Sequence, residues 1–435
     1  MSETSFIKKS ALGIRCLIVS LLHRGAVLGL LGCLAIACSA SVLGQWRRPR
    51  ASAKPPAVMP PSTNKEQTAT PAQDFDTLAT QASAAREGDR IDEAITLYTK
   101  ALTLRPQWAE GWWYLATLYY DHDNYKEAAE AFKQTAQIQQ KAGAPWAMLG
   151  LCEFQLARYD EALLHIQQGR QLGLGDNGEL VRVMRYHEGL LSILKGNFEV
   201  AQQTLSALSY AGLKSEDLII ALGLASLRIG MTPKQVDINY RDRDLVRRAG
   251  LAQHFAAQKN MSDAQREYDM LARDYGKVAN VQYAYGLFMM TNRDDELALA
   301  AFEREIQNWP KHTLARCQIA NIKLRNKDIE GGLKYAEEAV KMAPRLPLAH
   351  YLLGRLLLEV GQSERAIQEL EEAAQMVPSE PKIFFALARA YNKANRKQDA
   401  QRARETFTKL SQSAQTEGQS SVLPDDNSLT DKSQP

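Results

Sequence analysis

The sequence predicts an all-α protein, a solenoid of about ten stacked helix-turn-helix units. Three observations predict it. Small residues recur every 34 positions, at Ala94, Ala128 and Ala162 and again at Ala298, Gly332, Ala366 and Ala400. A second small-residue series keeps the same period, at Ala116 and Gly150 and then at Gly286, Ala320, Gly354 and Ala388. Within each period the large apolar residues fall at helical spacing, and Pro106, Pro310, Pro344 and Pro378 close units. A single hairpin cannot bury its own apolar face, so a period held over many units means that neighbours stack.

From the N-terminus, the elements follow in order. Residues 1–24 are a basic region with Lys8, Lys9, Arg15 and Arg24. Residues 25–44, GAVLGLLGCLAIACSASVLG, carry no charge. As a helix rising about 1.5 Å per residue, this run matches a hydrocarbon core of roughly 30 Å. Three readings stay open. Ala35-Ile36-Ala37 fits a cleaved export signal. Leu30-Leu31-Gly32-Cys33 fits a lipobox, with Cys33 as the lipidation site. Arg47, Arg48, Arg50 and Lys54, which follow at once, fit an uncleaved anchor. With basic residues on both sides, orientation is not fixed. The six prolines and small polar residues of 45–73 cannot support a core and read as a disordered spacer. The solenoid is expected over 74–410, and a polar disordered tail over 411–435.

Composition narrows the function classes. The chain has 435 residues, 45% hydrophobic and 24% charged, which excludes a wholly disordered or multi-span membrane protein. The net charge of +3 comes from residues 1–73, whose nine Lys/Arg against two acidic residues leave the remainder at −4. A slightly acidic body is not a dedicated nucleic-acid binder. Five scattered cysteines, with no Cys-x-x-Cys pair, make neither a disulfide framework nor a zinc knuckle.

The units resemble the tetratricopeptide repeat (TPR) family, whose pattern is W-x2-L-G-x2-Y, then A-x3-F, then A and P. Residues 109–142 supply Trp112, Leu115, Ala116, Tyr119, Tyr125, Ala128 and Phe132; 143–176 supply Trp146, Leu149, Gly150, Tyr159 and Ala162. Residues 347–380 supply Leu353, Gly354, Gly361, Ala366, Leu370, Ala373 and Pro378. The resemblance implies a right-handed superhelix. The stretch 177–276 departs from the pattern. About five extra residues follow Asp176, and Gly223 to Gly250 spans only 27 positions. The fifth unit is therefore expected to be degenerate, with a short second helix from about Pro233. The last helix, about Gln398–Gln412, reads as a polar cap.

Tests for chemistry return little. GLGDNG at Gly173–Gly178 fits G-x-G-x-x-G but follows a helix and reads as a helix stop. No phosphate loop, zinc-protease motif or nucleophile elbow occurs. The seven histidines show no metal-ligand spacing and read as turn or surface residues, and Cys152 and Cys317 as buried thiols. The Arg241–Arg248 run reads as a salt-bridged helix start. No enzyme activity, cofactor or metal is expected.

The family's ligand contacts come from positions 2, 5, 6, 9, 12 and 13 of first helices. Carried onto this chain, they mark an aromatic patch of Trp113, Tyr114, Tyr120, Met148, Leu151 and Phe154. They also mark a basic patch of Asn321, Arg325, Arg355, Lys382, Arg389, Asn392 and Lys393. Asn321, Arg355 and Arg389 form a ladder suited to carboxylates. Asn321 and Lys382 fit a carboxylate clamp, but Cys317, Leu352 and Ala386 depart from it. The resemblance thus implies a scaffold binding proteins or peptides in a concave groove, tethered to or exported across a membrane. Its body is expected to be extracytoplasmic, or periplasmic in a bacterium. An assembly factor or lipoprotein of an envelope export machine is the alternative.

Overall fold

The computed structural model describes residues 71–175, 178–239 and 242–417. The hydrophobic run 25–44, with Cys33, lies outside them, as do Arg241 and residues 418–435. The described residues form twenty helices and no strand. None of these helices is long and apolar enough to cross a membrane. The chain divides into two compact units, 1–184 and 185–435, with the division inside one helix.

The described part of the first unit holds α1 (Pro71–Glu87), α2 (Ile91–Leu104), α3 (Ala109–Asp121), α4 (Tyr125–Ile138), α5 (Gly143–Gln155) and α6 (Tyr159–Leu172). It also holds the first turns of α7 (Gly178–Leu194). Successive helices pair as hairpins, each packing on the next. Small residues sit where the helices cross. A Cβ on Gly150 of α5 would stand 2.7 Å from the Ile166 side chain and 2.9 Å from the Ala162 carbonyl oxygen of α6. Ala94, Ala128 and Ala162 are fully buried. The first glycine of the GLGDNG stretch is a helix stop: Gly173 caps α6 at φ +89°, a left-handed conformation that suits glycine, and α7 begins at Gly178.

The second unit continues with α8 (Phe198–Tyr210), α9 (Glu216–Ser226), α10 (Pro233–Asn239), α11 (Arg243–Ala257), α12 (Met261–Tyr275), α13 (Val281–Thr291) and α14 (Asp295–Asn308). Then come α15 (Thr313–Arg325), α16 (Ile329–Met342), α17 (Pro347–Glu359), α18 (Ser363–Met376), α19 (Pro381–Lys393) and α20 (Lys397–Glu417). One packing rule repeats. The small residue at the first helix's centre faces a large one sixteen positions later. A Cβ on Gly189 would meet Leu205 at 2.6 Å, one on Gly286 would meet Phe302 at 2.5 Å, and one on Gly354 would meet Leu370 at 2.6 Å. The 34-residue period is this steric rule written along the chain.

The fifth unit is degenerate, and its second helix starts at Pro233 and has seven residues. The structure adds what replaces it: α9 packs directly on α11, skipping α10. The ends of the solenoid differ from expectation. Helix α1 starts at Pro71 inside the expected spacer, and α20 runs to Glu417, so residues 411–417 are helical rather than tail. The Arg-rich run is a salt-bridged helix start. Asp242 caps α11 by accepting from the Leu245 N–H, Arg248 pairs with Asp244 at 2.6 Å, and Arg243 and Arg247 share Glu216.

Candidate protein-binding groove

Each unit is counted so that Ala116, Gly150, Gly286, Ala320, Gly354 and Ala388 fall on position 8. In the first unit the aromatic patch divides by burial. Tyr114, Met148 and Leu151 are 3%, 2% and 0% exposed, so these expected groove contacts are core residues. Tyr114 lies under the Arg86 guanidinium, 3.6 Å from the ring centre, within a cluster that includes Tyr98 and Leu118. For Tyr114 the covering residues come from the preceding hairpin, α1 and α2. Tyr120 is nearly buried against Tyr125, rings 5.5 Å apart. Trp113 and Phe154 stay half-buried, Trp113 edge-on to Phe132 at 5.3 Å and Phe154 beside Tyr159 at 5.7 Å.

The basic patch in the second unit is partly internal. Asn321 is buried, its Oδ1 without a hydrogen-bond partner. Arg325 pairs with Asp295 at 2.6 Å, and Arg389 with Glu359 at 3.4 Å. Arg355 is 9% exposed, its guanidinium 5.4 Å from the Tyr351 ring centre. Lys393 donates to the Leu358 carbonyl at the end of α17 at 2.8 Å, where the helix dipole favours a cation. Lys382 is half-buried and Asn392 exposed. Two arginines of the patch, Arg325 and Arg389, thus already hold carboxylates of the preceding repeat.

The second unit also has a pocket of about 260 Å³ that the residue-by-residue reading missed. Leu287, Leu314, Leu346, Pro347, Leu348 and Val377 supply its apolar lining. Tyr283, Gln318, Arg228, Glu199 and Glu380 supply its polar edge. Tyr283, Leu287, Leu314, Gln318 and Leu348 hold positions 5, 9, 2, 6 and 2 of three successive repeats. The position rule points to them, but apolar residues at these sites are indistinguishable from core until neighbouring helices are in place. Arg228, set by the end of α9, pairs with Glu199 and lies over the Phe198 ring at 4.8 Å. Burial raises the Tyr283 hydroxyl pKa, and the Arg228 charge opposes the rise.

Behind the pocket lies a buried polar network. Glu305, fully buried, accepts from the backbone N–H groups of Asn280 at 2.8 Å and Tyr283 at 3.1 Å, which fixes the start of α13. Burial raises its pKa, and those hydrogen bonds oppose the shift. Two histidines are not the turn or surface residues the sequence suggested, whereas His122 is exposed at the end of α3 and His312 caps α15. His254 and His350 are buried; His254 meets the Ser209 hydroxyl at 2.6 Å, and His350 bridges Glu369 at 2.7 Å and the Pro344 carbonyl at 3.0 Å. Cys152 and Cys317 are buried, and burial pushes the Cys317 thiol up to about 12. Among the described residues no group of three His, Cys, Asp or Glu side chains is placed to hold a metal.

Stacked two-helix hairpins with small–large pairs at a fixed spacing define a helical-repeat protein. The family described as "Tetratricopeptide repeat" matches residues 250–313, 317–381 and 351–410. The family described as "Anaphase-promoting complex, cyclosome, subunit 3" matches residues 87–169. The chain carries tetratricopeptide repeats. No curated protein matches it. Among solved structures, MamA 41-end from Desulfovibrio magneticus RS-1 is 24% identical, covering 40% of this chain and 96% of that one, with a TM-score of 0.34. The APC/C hetero-tetramer Cut9-Hcn1 is 13% identical over 78% of this chain and 87% of that one, with a TM-score of 0.36. Yeast Tom70 is 11% identical over 78% and 86%, with a TM-score of 0.34.

Proposed function

We propose that this chain is a non-catalytic scaffold that captures a partner protein or peptide in the groove of its second unit. The pocket carries the reading. Repeats that only packed against one another would close over Leu287, Leu314 and Leu348; instead these side chains are half-buried around an opening of about 260 Å³. An apolar anchor from a partner fills such a space, and Gln318, Arg228 and Glu199 offer hydrogen bonds at its edge. The uncharged run 25–44 tethers this body to a membrane, and the body lies on the extracytoplasmic side.

The test is capture by the full chain. Leu314→Glu with Leu348→Glu puts two charges into the pocket lining and is expected to weaken partner capture by roughly a hundredfold, at an unchanged helical circular-dichroism spectrum. Undiminished capture rejects the pocket as the site. Deleting residues 25–44 is expected to release the chain from membranes in alkaline extraction; release of the intact chain under the same conditions rejects the tether.

A further inference from the structure

The basic end of the groove has a candidate occupant within the chain itself. In the last repeat, Lys382, Arg389 and Lys393 hold groove positions 2, 9 and 13 of α19, with no acidic residue among that helix's six groove positions. On this face Glu359 pairs with Arg389, and the Glu380 carboxylate accepts from the Lys382 backbone N–H at 3.3 Å. The Arg389–Glu359 pair is 3.4 Å long with both side chains substantially exposed, at 34% and 41%. A pair of that geometry yields readily to a better-placed carboxylate.

Residues 418–435 read GQSSVLPDDNSLTDKSQP, with Asp425, Asp426 and Asp431 against Lys432, a net −2. Their starting point is favourable. Helices α19 and α20 form an antiparallel hairpin with Phe385 packed on Phe407, ring centroids 5.5 Å apart. The chain therefore leaves α20 at Glu417, beyond the Lys382 end of α19 by about seven residues, or about 10 Å at about 1.5 Å per residue. From there, at about 3.3 Å per extended residue, Asp425 reaches about 26 Å and Asp431 about 46 Å. The first spans the return to Lys382, and the second spans the further two turns to Arg389. A chain re-entering at Lys382 and running toward Lys393 meets the cations in the order in which it presents its carboxylates.

We propose that residues 418–435 dock on the Lys382–Arg389–Lys393 face of the groove and compete there with acidic partner segments. The proposal rests on the groove being a binding surface, but its test contains no partner, so failure of partner capture at the pocket leaves it standing. The probe is a synthetic peptide of residues 418–435, titrated by fluorescence anisotropy against the full chain and against the chain ending at Glu417. The shortened chain is expected to bind it roughly tenfold or more tightly than the full chain, whose own segment occupies the site. Raising the ionic strength from about 0.1 M to about 1 M shortens the screening length from about 10 Å to about 3 Å and is expected to abolish that binding. A peptide with Asp425→Asn, Asp426→Asn and Asp431→Asn is expected to bind roughly tenfold more weakly, and this comparison leaves the protein untouched. Lys382→Glu with Arg389→Glu in the shortened chain is expected to match that loss. Equal binding by full and shortened chains, or by the acidic and neutral peptides, overturns the proposal. So does binding that survives the double charge reversal.

Discussion

His312 precedes α15, and its ring is held on both sides. The Ala315 N–H donates to Nδ1 at 3.0 Å, so Nδ1 carries no proton; Nε2–H donates to Asn280 Oδ1 at 2.9 Å. Asn280 in turn donates from Nδ2 to the Leu227 carbonyl at 3.0 Å, tying the end of α9 to α13 and α15. The network fits only a neutral imidazole. Burial, with Arg228 and Arg316 nearby, depresses the His312 pKa from 6.5 to about 4, although Glu305 stands 3.7 Å away. The folded pKa lies below the unfolded one, so the unfolded chain takes up the proton first. The stability this site contributes is complete above about pH 6.5 and is lost as pH falls from there toward 4. Between about pH 7 and about pH 5 the loss from this residue is expected to be about 2 kcal/mol. Urea titrations of the native chain and His312→Asn at the two pH values measure it; an unaltered pH dependence in the variant contradicts the assignment. His350 works in the opposite direction. Both its nitrogens face acceptors, and the Glu369 carboxylate raises its pKa. Its contribution is complete below about pH 6.5 and fades as pH rises through the elevated value.

Helices α9 and α11 approach closely enough that no side chain fits between them at two positions. A Cβ on Gly223 would stand 1.9 Å from the Val246 carbonyl oxygen, and one on Gly250 would stand 1.8 Å from that of Ile219. Both obstacles are backbone, so a methyl group cannot be accommodated by turning a side chain. This contact explains the irregular middle: with α10 reduced to seven residues, α9 finds its partner in the next helix that offers a flat face. Gly223→Ala is expected to force the helices apart and cost about 3 kcal/mol, and Gly250→Ala the same. Because either methyl alone opens the crossing, the double variant is expected to lose clearly less than the sum of the two. Thermal or urea unfolding of the three variants reads out that coupling. Strict additivity indicates that the two glycines do not meet at one crossing.

At the scale of the whole molecule, the repeat was legible because sterics impose it. Gly286 against Phe302 and Gly354 against Leu370 are one contact made twice, so the period survives wherever the contact does. The short helix from Pro233 was legible because proline and a missing small residue mark it. The α9–α11 crossing was not: Gly223 and Gly250 lie 27 apart, and spacing alone does not say that they face each other. Groove residues were legible by position but not by exposure, since the fate of Tyr114, Leu151 and Leu287 depends on the neighbouring helices. The same nearest-neighbour logic governs stability. Leu356 is fully buried, and its Cδ2 lies 2.7 Å from where a Cβ on Gly332 would stand, so it fills the space between α16 and α17. It belongs to a core drawn from α15 to α20. Leu356→Ala is expected to cost about 3 kcal/mol, the usual range for a buried leucine whose cavity does not collapse. In a protein whose helices pack on their chain neighbours, that cost stays local. Hydrogen exchange is expected to accelerate across α15–α20 and to remain unchanged in α1–α6. Equal acceleration throughout means that the chain unfolds as one cooperative body, and that stability is not a sum over repeats.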